Sequence, residues 1–264
     1  MRENKAVKAS EITEREYSYL EDKPSMISNP EIKTIEDKNP VEVTPRKPIL
    51  ITKALIWRYF LLAYKVSSKK PFEKTQESLA NIGTIINYFV RDPEFLKSPN
   101  LVKQVGRSTL QPSLSKGLLI VGMYGNGKTS IMRALSMMFS HYDMPMRFKS
   151  VSAHGLVTKY ETLSTPGDKD LFYERYNCKA LHIDDVKKEA TASNYGKREI
   201  IRDIMEKRYD NGLMTYLTCN YREGDADGNV GDALMEFGER YGEHIYDRLF
   251  EMFNIIQFKG SSFR

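Results

Sequence analysis

Cysteine is nearly missing from this sequence: only Cys178 and Cys219 occur among 264 residues. They have no metal-like spacing and no nearby histidine, which excludes a cysteine-ligated metal site. Each lies in or beside an apolar run, so both are predicted to be buried structural thiols, as suits a reducing cytoplasm. A long uncharged apolar run is missing too. The most apolar stretch, residues 49–66, is interrupted by Lys53, Arg58 and Lys65, whereas a membrane span needs about 20 residues almost free of charge. It reads as an amphipathic helix, and no membrane partner is expected. The first residues are charged rather than apolar, unlike a signal peptide. Nor does one sign of charge dominate: 40 Lys and Arg face 35 Asp and Glu, a net +5, which permits nucleic-acid binding without requiring it.

Three regions follow from composition and pattern. Residues 1–48 carry nine Lys/Arg and ten Asp/Glu, recurring prolines and few aromatics. Such a segment buries too little apolar surface to offset its ordering entropy, so a flexible charged arm is expected, with a short helix near Ser10 to Leu20. Residues 49–116 form a helical N-terminal region and linker. Leu55, Tyr59, Leu62 and Val66 repeat at helical spacing, as do Leu79, Ile82, Ile86, Phe89 and Val90 before Pro93, and residues 98–116 read as a connecting segment. These helices serve either as a docking element for a partner or as a structural collar on the main domain.

From 117 to 264, short apolar runs alternate with longer amphipathic ones. Candidate strands are 117–121, 146–151, 180–183, 214–219 and 253–258. That alternation predicts an α/β domain, a parallel five-stranded sheet with helices on both faces.

The segment Gly122-Met-Tyr-Gly-Asn-Gly127-Lys128-Thr129 satisfies G-x-x-x-x-G-K-[ST] in full. The apolar run 118–121 precedes it as a strand, and Ser130 to His141 follows as a helix. Gly122, Gly125 and Gly127 let the backbone curl and aim its N–H groups inward, with Tyr124, Asn126 and Ser130 completing the cradle. The helix N-terminus adds its positive end. Lys128 reaches the outer phosphates, and the Thr129 hydroxyl is a ligand for Mg2+. ATP with Mg2+ is the expected ligand.

A second apolar strand, Ala180-Leu-His-Ile183, runs into Asp184-Asp185. Downstream of a phosphate loop, Asp184 is expected to hold magnesium and Asp185 to position or deprotonate the attacking water. Asp185 is shorter than the glutamate many such ATPases use, so slow turnover is expected. His182 reads as a hydrogen-bonded interior histidine. A further strand ends at Asn220, which in an ordinary turn is unremarkable.

The phosphate loop, the Ile-Asp-Asp strand, the run Arg208-Tyr-Asp-Asn-Gly-Leu-Met-Thr-Tyr-Leu-Thr-Cys-Asn220 and the run Glu239-Arg-Tyr-Gly-Glu-His-Ile-Tyr-Asp-Arg248-Leu249 together resemble AAA+ ATPases of the DnaC/IstB helicase-loader type. The ending Phe258-Lys-Gly-Ser-Ser-Phe-Arg264 strengthens the likeness, which covers residues 117–264 and none of the first 116. The resemblance implies an AAA+ ASCE P-loop NTPase with strand order 5-1-4-3-2. It makes Asn220 a sensor between Lys128 and Asp184, and Arg248 an arginine finger reaching the ATP of a neighbouring subunit in a homo-oligomer. Only sixteen residues follow Arg248, so no C-terminal lid is expected, with Arg264 a weak stand-in for the lid's charge. On this sequence Arg248 falls on one helix with an apolar row Leu234, Phe237, Tyr241, Ile245 and Leu249, beside a polar row Arg240, His244 and Arg248.

Two basic segments are candidates for DNA. One is 151–176, with His154, Lys159, Lys169 and Arg175. The other follows the acidic pair: Lys187, Lys188, Tyr195, Lys197 and Arg198. Cations interleaved with an aromatic suit a single-stranded backbone. The leading expectation is a cytoplasmic bacterial ATPase of DNA replication that loads a replicative helicase and oligomerises on single-stranded DNA. It is encoded by a chromosome, a phage or a mobile element. The alternative is a transposition helper assembling on duplex DNA. A small-molecule P-loop kinase and an ATP-gated adaptor with negligible turnover are the remaining readings.

Overall fold

The computed structural model describes residues 51–194, 196–225, 228–260 and 262. The expected arm at 1–48 with its short helix, Tyr195 and Arg264 lie outside the described residues. The chain divides into two compact units, residues 1–57 and 58–264. The described part of the first, residues 51–57, opens helix α1 (Lys53–Ser68). The second unit holds every other element, and no helix among the described residues is long and apolar enough to cross a membrane.

Its centre is a five-stranded sheet, all parallel: β3 (Gly117–Gly122), β4 (Lys149–Ser152), β5 (Leu181–Asp184), β8 (Thr215–Cys219) and β9 (Phe253–Phe258). The spatial order is β4-β5-β8-β3-β9. Counting the five in chain order, this is the expected 5-1-4-3-2, with β4 on one edge. Strand β3 is buried along its whole length, as befits a central parallel strand covered on both faces. Two hairpins of two-residue strands lie outside this sheet, β1 (Gln104–Val105) with β2 (Ser108–Thr109), and β6 (Ala192–Ser193) with β7 (Lys197–Arg198).

Alternate side chains feed two cores. Leu119, Val121, Ile183, Leu217 and Cys219 enter one apolar cluster. That cluster also takes residues of α4 (Ala153–Glu161), α5 (Pro166–Tyr176), α6 (Ile200–Asp210), α7 (Val230–Tyr241) and α8 (Glu243–Met252). On the other face, Tyr216 and Phe148 meet Phe139 of α3 (Lys128–His141) and Phe89 of α2 (Gln76–Phe89). Ring centroids there are 4.9 Å (Phe89–Phe139), 5.6 Å (Phe89–Tyr216) and 5.0 Å (Phe148–Tyr216) apart, the tilted geometry that aromatic quadrupoles favour.

Among the helices ahead of the phosphate loop, α2 thus packs on the sheet. A reciprocal cap starts α2: Thr75 Oγ1 accepts from Ser78 N–H, and Ser78 Oγ accepts from Thr75 N–H. Asn81 then donates to the Lys259 carbonyl and accepts from Asn100 and Lys259 N–H, tying α2 to the end of β9. The expected connector at 98–116 also takes part in the sheet region. Leu101 bridges Ile256 in antiparallel sense, and Val102 N–H donates to the Ile255 carbonyl.

Three details depart from the periodicity reading. The buried residues of α1 are Ile56, Trp57, Phe60, Leu61 and Ala63, while Val66 is exposed, so the apolar face is rotated from the expected row. Cys178 is exposed and only Cys219 is buried, because Cys178 sits in the turn after α5. The single helix expected to carry Arg240, His244 and Arg248 is two helices, broken at Gly242, whose φ of 100° no other residue type adopts readily.

Candidate nucleotide site

Strand β3 delivers the chain into a tight loop that only glycine permits at three places. A Cβ on Gly122 would lie 2.5 Å from Asn126 Nδ2 and 2.8 Å from the Phe258 carbonyl oxygen. Gly125 and Gly127 have φ of 76° and 91°, the left-handed region that costs other residues dearly. Asn126 is buried and pins the loop to β9 by donating to the Phe258 carbonyl at 3.1 Å. Gly127 is the N-cap of α3 and no side chain caps that terminus. Its first-turn amides, with the helix dipole behind them, are thus available to an anion.

Parallel pairing carries the acidic and polar residues to the same rim. Lys128 Nζ donates to the carbonyls of Gly122 (2.8 Å) and Met123 (2.7 Å), to Asn126 Oδ1 (3.2 Å) and to Asn220 Oδ1 (3.0 Å). Thr129 Oγ1 donates to Asp184 Oδ1 at 2.9 Å. Asn220 Nδ2 donates to Asp185 Oδ1 at 2.6 Å. One amide therefore joins Lys128 to Asp185. Asp185 has a φ of 55°, a left-handed conformation that aspartate tolerates better than most residues. Asp184 is buried and Asp185 is exposed at the rim.

A hollow of about 420 Å³ opens here. Tyr124, Gly125, Asn126, Gly127, Lys128, Thr129 and Ser130 line it on one side, Asp184, Asp185 and Asn220 on another. Thr129 Oγ1 and Asp184 Oδ1 are hard oxygens side by side. That set suits magnesium, which takes one or two protein oxygens and keeps its waters and phosphate oxygens.

Several lining residues escaped the sequence reading. Thr218 Oγ1 donates to Asp184 Oδ1 and accepts from the Asp185 N–H at 3.1 Å. The Leu217–Ile183 register of β8 on β5 places it there. Arg133 Nη2 lies 3.9 Å from Asp184 Oδ2, one helical turn after Thr129, a spacing that would have revealed it. Tyr64, Ser67, Lys70, Phe72 and Ser78 also line the hollow and carry no signal that local pattern could give.

Other expected residues lie elsewhere. Arg248 is absent from the hollow. Its guanidinium rests over the Tyr209 ring, 4.3 Å from the centroid, and 3.7 Å from Asp210 Oδ1. It precedes β9, whose start pairs with Gly117 while its end pairs with Gly122, so it stands toward the end of the sheet away from the phosphate loop. Lys187 is not a surface cation. Its side chain is 3% exposed and its ammonium is held by the carbonyls of Asn220 and Ala233 and by Glu236. That corrects its reading as a DNA contact: the ammonium is buried and already neutralised by the Glu236 carboxylate. Lys188 is exposed and lies over the Tyr124 ring at 3.9 Å, beside the phosphate loop. Arg198 is spent on Asp203 at 2.6 Å. Lys159, whose ammonium reaches Tyr176 Oη at 3.4 Å, and Lys197 are exposed. Arg240 binds the 187–189 loop through the carbonyls of Lys187 and Glu189 and the Glu189 carboxylate, and His244 meets Glu206 at 2.6 Å. His182 is fully buried with Nδ1 2.9 Å from Ser150 Oγ, and burial lowers its pKa to about 4, so it is neutral.

The strand order, the glycine loop opening α3 and the acids ending β5 are those of the P-loop fold in its AAA+ arrangement. No protein-family model matches the sequence, and no curated protein matches it. Among solved structures, the DnaC helicase loader is 19% identical, with 74% of this chain and 98% of that one covered and a TM-score of 0.46. DnaI is 16% identical over 75% of this chain and 93% of its own, with a TM-score of 0.45. AMPPCP-bound DnaA from Aquifex aeolicus is 16% identical, covering 74% of this chain and 50% of that one, with a TM-score of 0.43. The chain thus spans about half of that DnaA chain. These are likenesses of fold.

Proposed function

We propose that this protein binds ATP with Mg2+ in the hollow at the phosphate loop, hydrolyses it, and serves DNA replication as an oligomeric loader of a replicative helicase on single-stranded DNA. The observation that carries the ATP reading is the convergence of Lys128 and Thr129 at the start of α3, Asp184 and Asp185 at the end of β5 and Asn220 after β8 on one rim. The loop amides and the α3 N-terminus receive the phosphates, and Lys128 neutralises the outermost one. Thr129 and Asp184 would hold magnesium, which would supply neutralisation of phosphate charge. Asp185 accepts the proton of the attacking water, and Asn220 fixes that carboxylate while its carbonyl oxygen keeps Lys128 aligned. Tyr64 and Phe72, which line the same hollow, offer rings to the nucleoside. The loader role is supported by the resemblance of residues 208–220 and 239–249 to the helicase-loader type.

The test is ATP binding and turnover of the purified chain with magnesium, with and without single- and double-stranded DNA. Lys128→Ala is expected to weaken ATP binding by about 10- to 100-fold, since hydrogen bonds to a charged group contribute about 1.5–3 kcal/mol. Wild-type protein that takes up no ATP would sink the reading. Stimulation by duplex rather than single strands would move the client role to the transposition helper.

A further inference from the structure

A second hollow, of about 440 Å³, lies at the start of the edge strand β4. Four cationic residues line it, Arg147, Lys149, Arg175 and Lys179, and no aspartate or glutamate does. Three chain segments bring them together: the approach to β4, the end of α5 and the turn before β5. Among the described residues Arg147 has a carboxylate partner, Asp143, and no carboxylate lies within ion-pair distance of the other three. Lys149 also rests over the Tyr176 ring, 4.3 Å from the centroid. Burial, and then the charges of Arg175 and Lys159, hold its ammonium below the ordinary lysine value. Cations gathered without counter-charges repel one another, and an anion relieves that cost.

The hollow is not a closed cup. Ser136, Ser140 and Ser150 line both it and a neighbouring hollow of about 330 Å³, which reaches Arg133 and Asp184 at the nucleotide site. A hydroxyl-lined groove thus follows the free edge of β4 along α3. A lone phosphate would fill a small part of it. We propose that this groove binds one strand of nucleic acid through its phosphodiester backbone, with the four cations at its basic end taking successive phosphates. No exposed aromatic lines the basic end, so the contact reads charge and not base identity. This places a DNA site where neither basic segment singled out by sequence pattern is centred. It deepens the single-strand part of the proposed function and does not depend on hydrolysis.

The experiment uses the full chain and fluorescence anisotropy with labelled oligothymidylate over a salt series. Arg175→Glu/Lys179→Glu changes two exposed residues. It is expected to lower affinity tenfold or more and to shrink the log–log salt slope by about 1.4, the share of two phosphate contacts on a single strand. ATP affinity should be unchanged. Lys149→Gln should lower affinity in the same direction. Lys103→Glu/Arg107→Glu, the same charge change on the β1–β2 hairpin, should have a smaller effect. Equal losses in the two double variants would overturn the proposal and leave the cations as guards of an open sheet edge. So would displacement of the oligonucleotide by inorganic pyrophosphate at matched ionic strength, the mark of a site for small phosphates. Wild type that binds ATP but no oligonucleotide overturns this inference and the single-strand part of the proposed function, and leaves the ATP reading standing. Oligonucleotide binding without ATP binding overturns the nucleotide reading instead.

Discussion

At the scale of single residues, the site depends on small groups that hold the acids still. Thr218 touches both: its hydroxyl donates to Asp184 and accepts from the Asp185 amide. Thr218→Val keeps the shape and removes both bonds. We expect kcat for magnesium-dependent hydrolysis to fall about 10- to 100-fold, the usual effect of losing a partner that orients a metal ligand. ATP affinity without magnesium should hardly move. An unchanged kcat would show that Asp184 needs no such support. Thr218 was not legible beforehand, because a threonine in a strand is ordinary and only the register of β8 on β5 gives it a role. Lys187 shows the converse. A lysine pair after an acidic turn reads as surface charge, and only the packing of α7 over that turn supplies the acceptors that bury it.

At the scale of elements, the helix α2 packs on the sheet. Its apolar residues Ile82, Ile86 and Phe89 are buried, and Phe89 sits among Phe139, Phe148 and Tyr216. Phe89→Ala should cost about 3–5 kcal/mol of stability, read as a lower denaturation midpoint with an unchanged slope. A loss below about 1 kcal/mol would mean that α2 is only loosely docked. The break at Gly242 is an element-scale correction. A four-residue polar row suggested one helix, but a left-handed glycine ends α7 and re-aims the chain into α8. Arg240 therefore serves the 187–189 loop, while Arg248 faces α6.

At the scale of the whole molecule, the position of Arg248 sets what a single copy can do. It stands toward the far end of the sheet from its own phosphate loop, so any contact with ATP has to come from another copy, as the proposed shared site requires. Arg248→Ala should bind ATP normally and hydrolyse it at least about 1000-fold more slowly, the effect of losing an arginine finger. Mixing it with Asp185→Ala should restore part of the activity, because some interfaces then combine an intact loop with an intact arginine. Absence of rescue, with specific activity independent of protein concentration, would rule out a site shared between copies.

The residues themselves determined the phosphate loop, the acidic strand end and the parallel α/β class, because those depend on local rules. Glycine is needed where backbone must approach phosphate, and apolar runs alternate with helical spacing. The strand order was not legible in periodicity and came with the family resemblance. Tertiary structure alone decided which polar groups share a rim, that Lys187 is interior, that Cys178 is exposed, and that a groove beside β4 gathers four cations. Each depends on which distant strands and helices become neighbours, and hence on which charges lose water and which keep it.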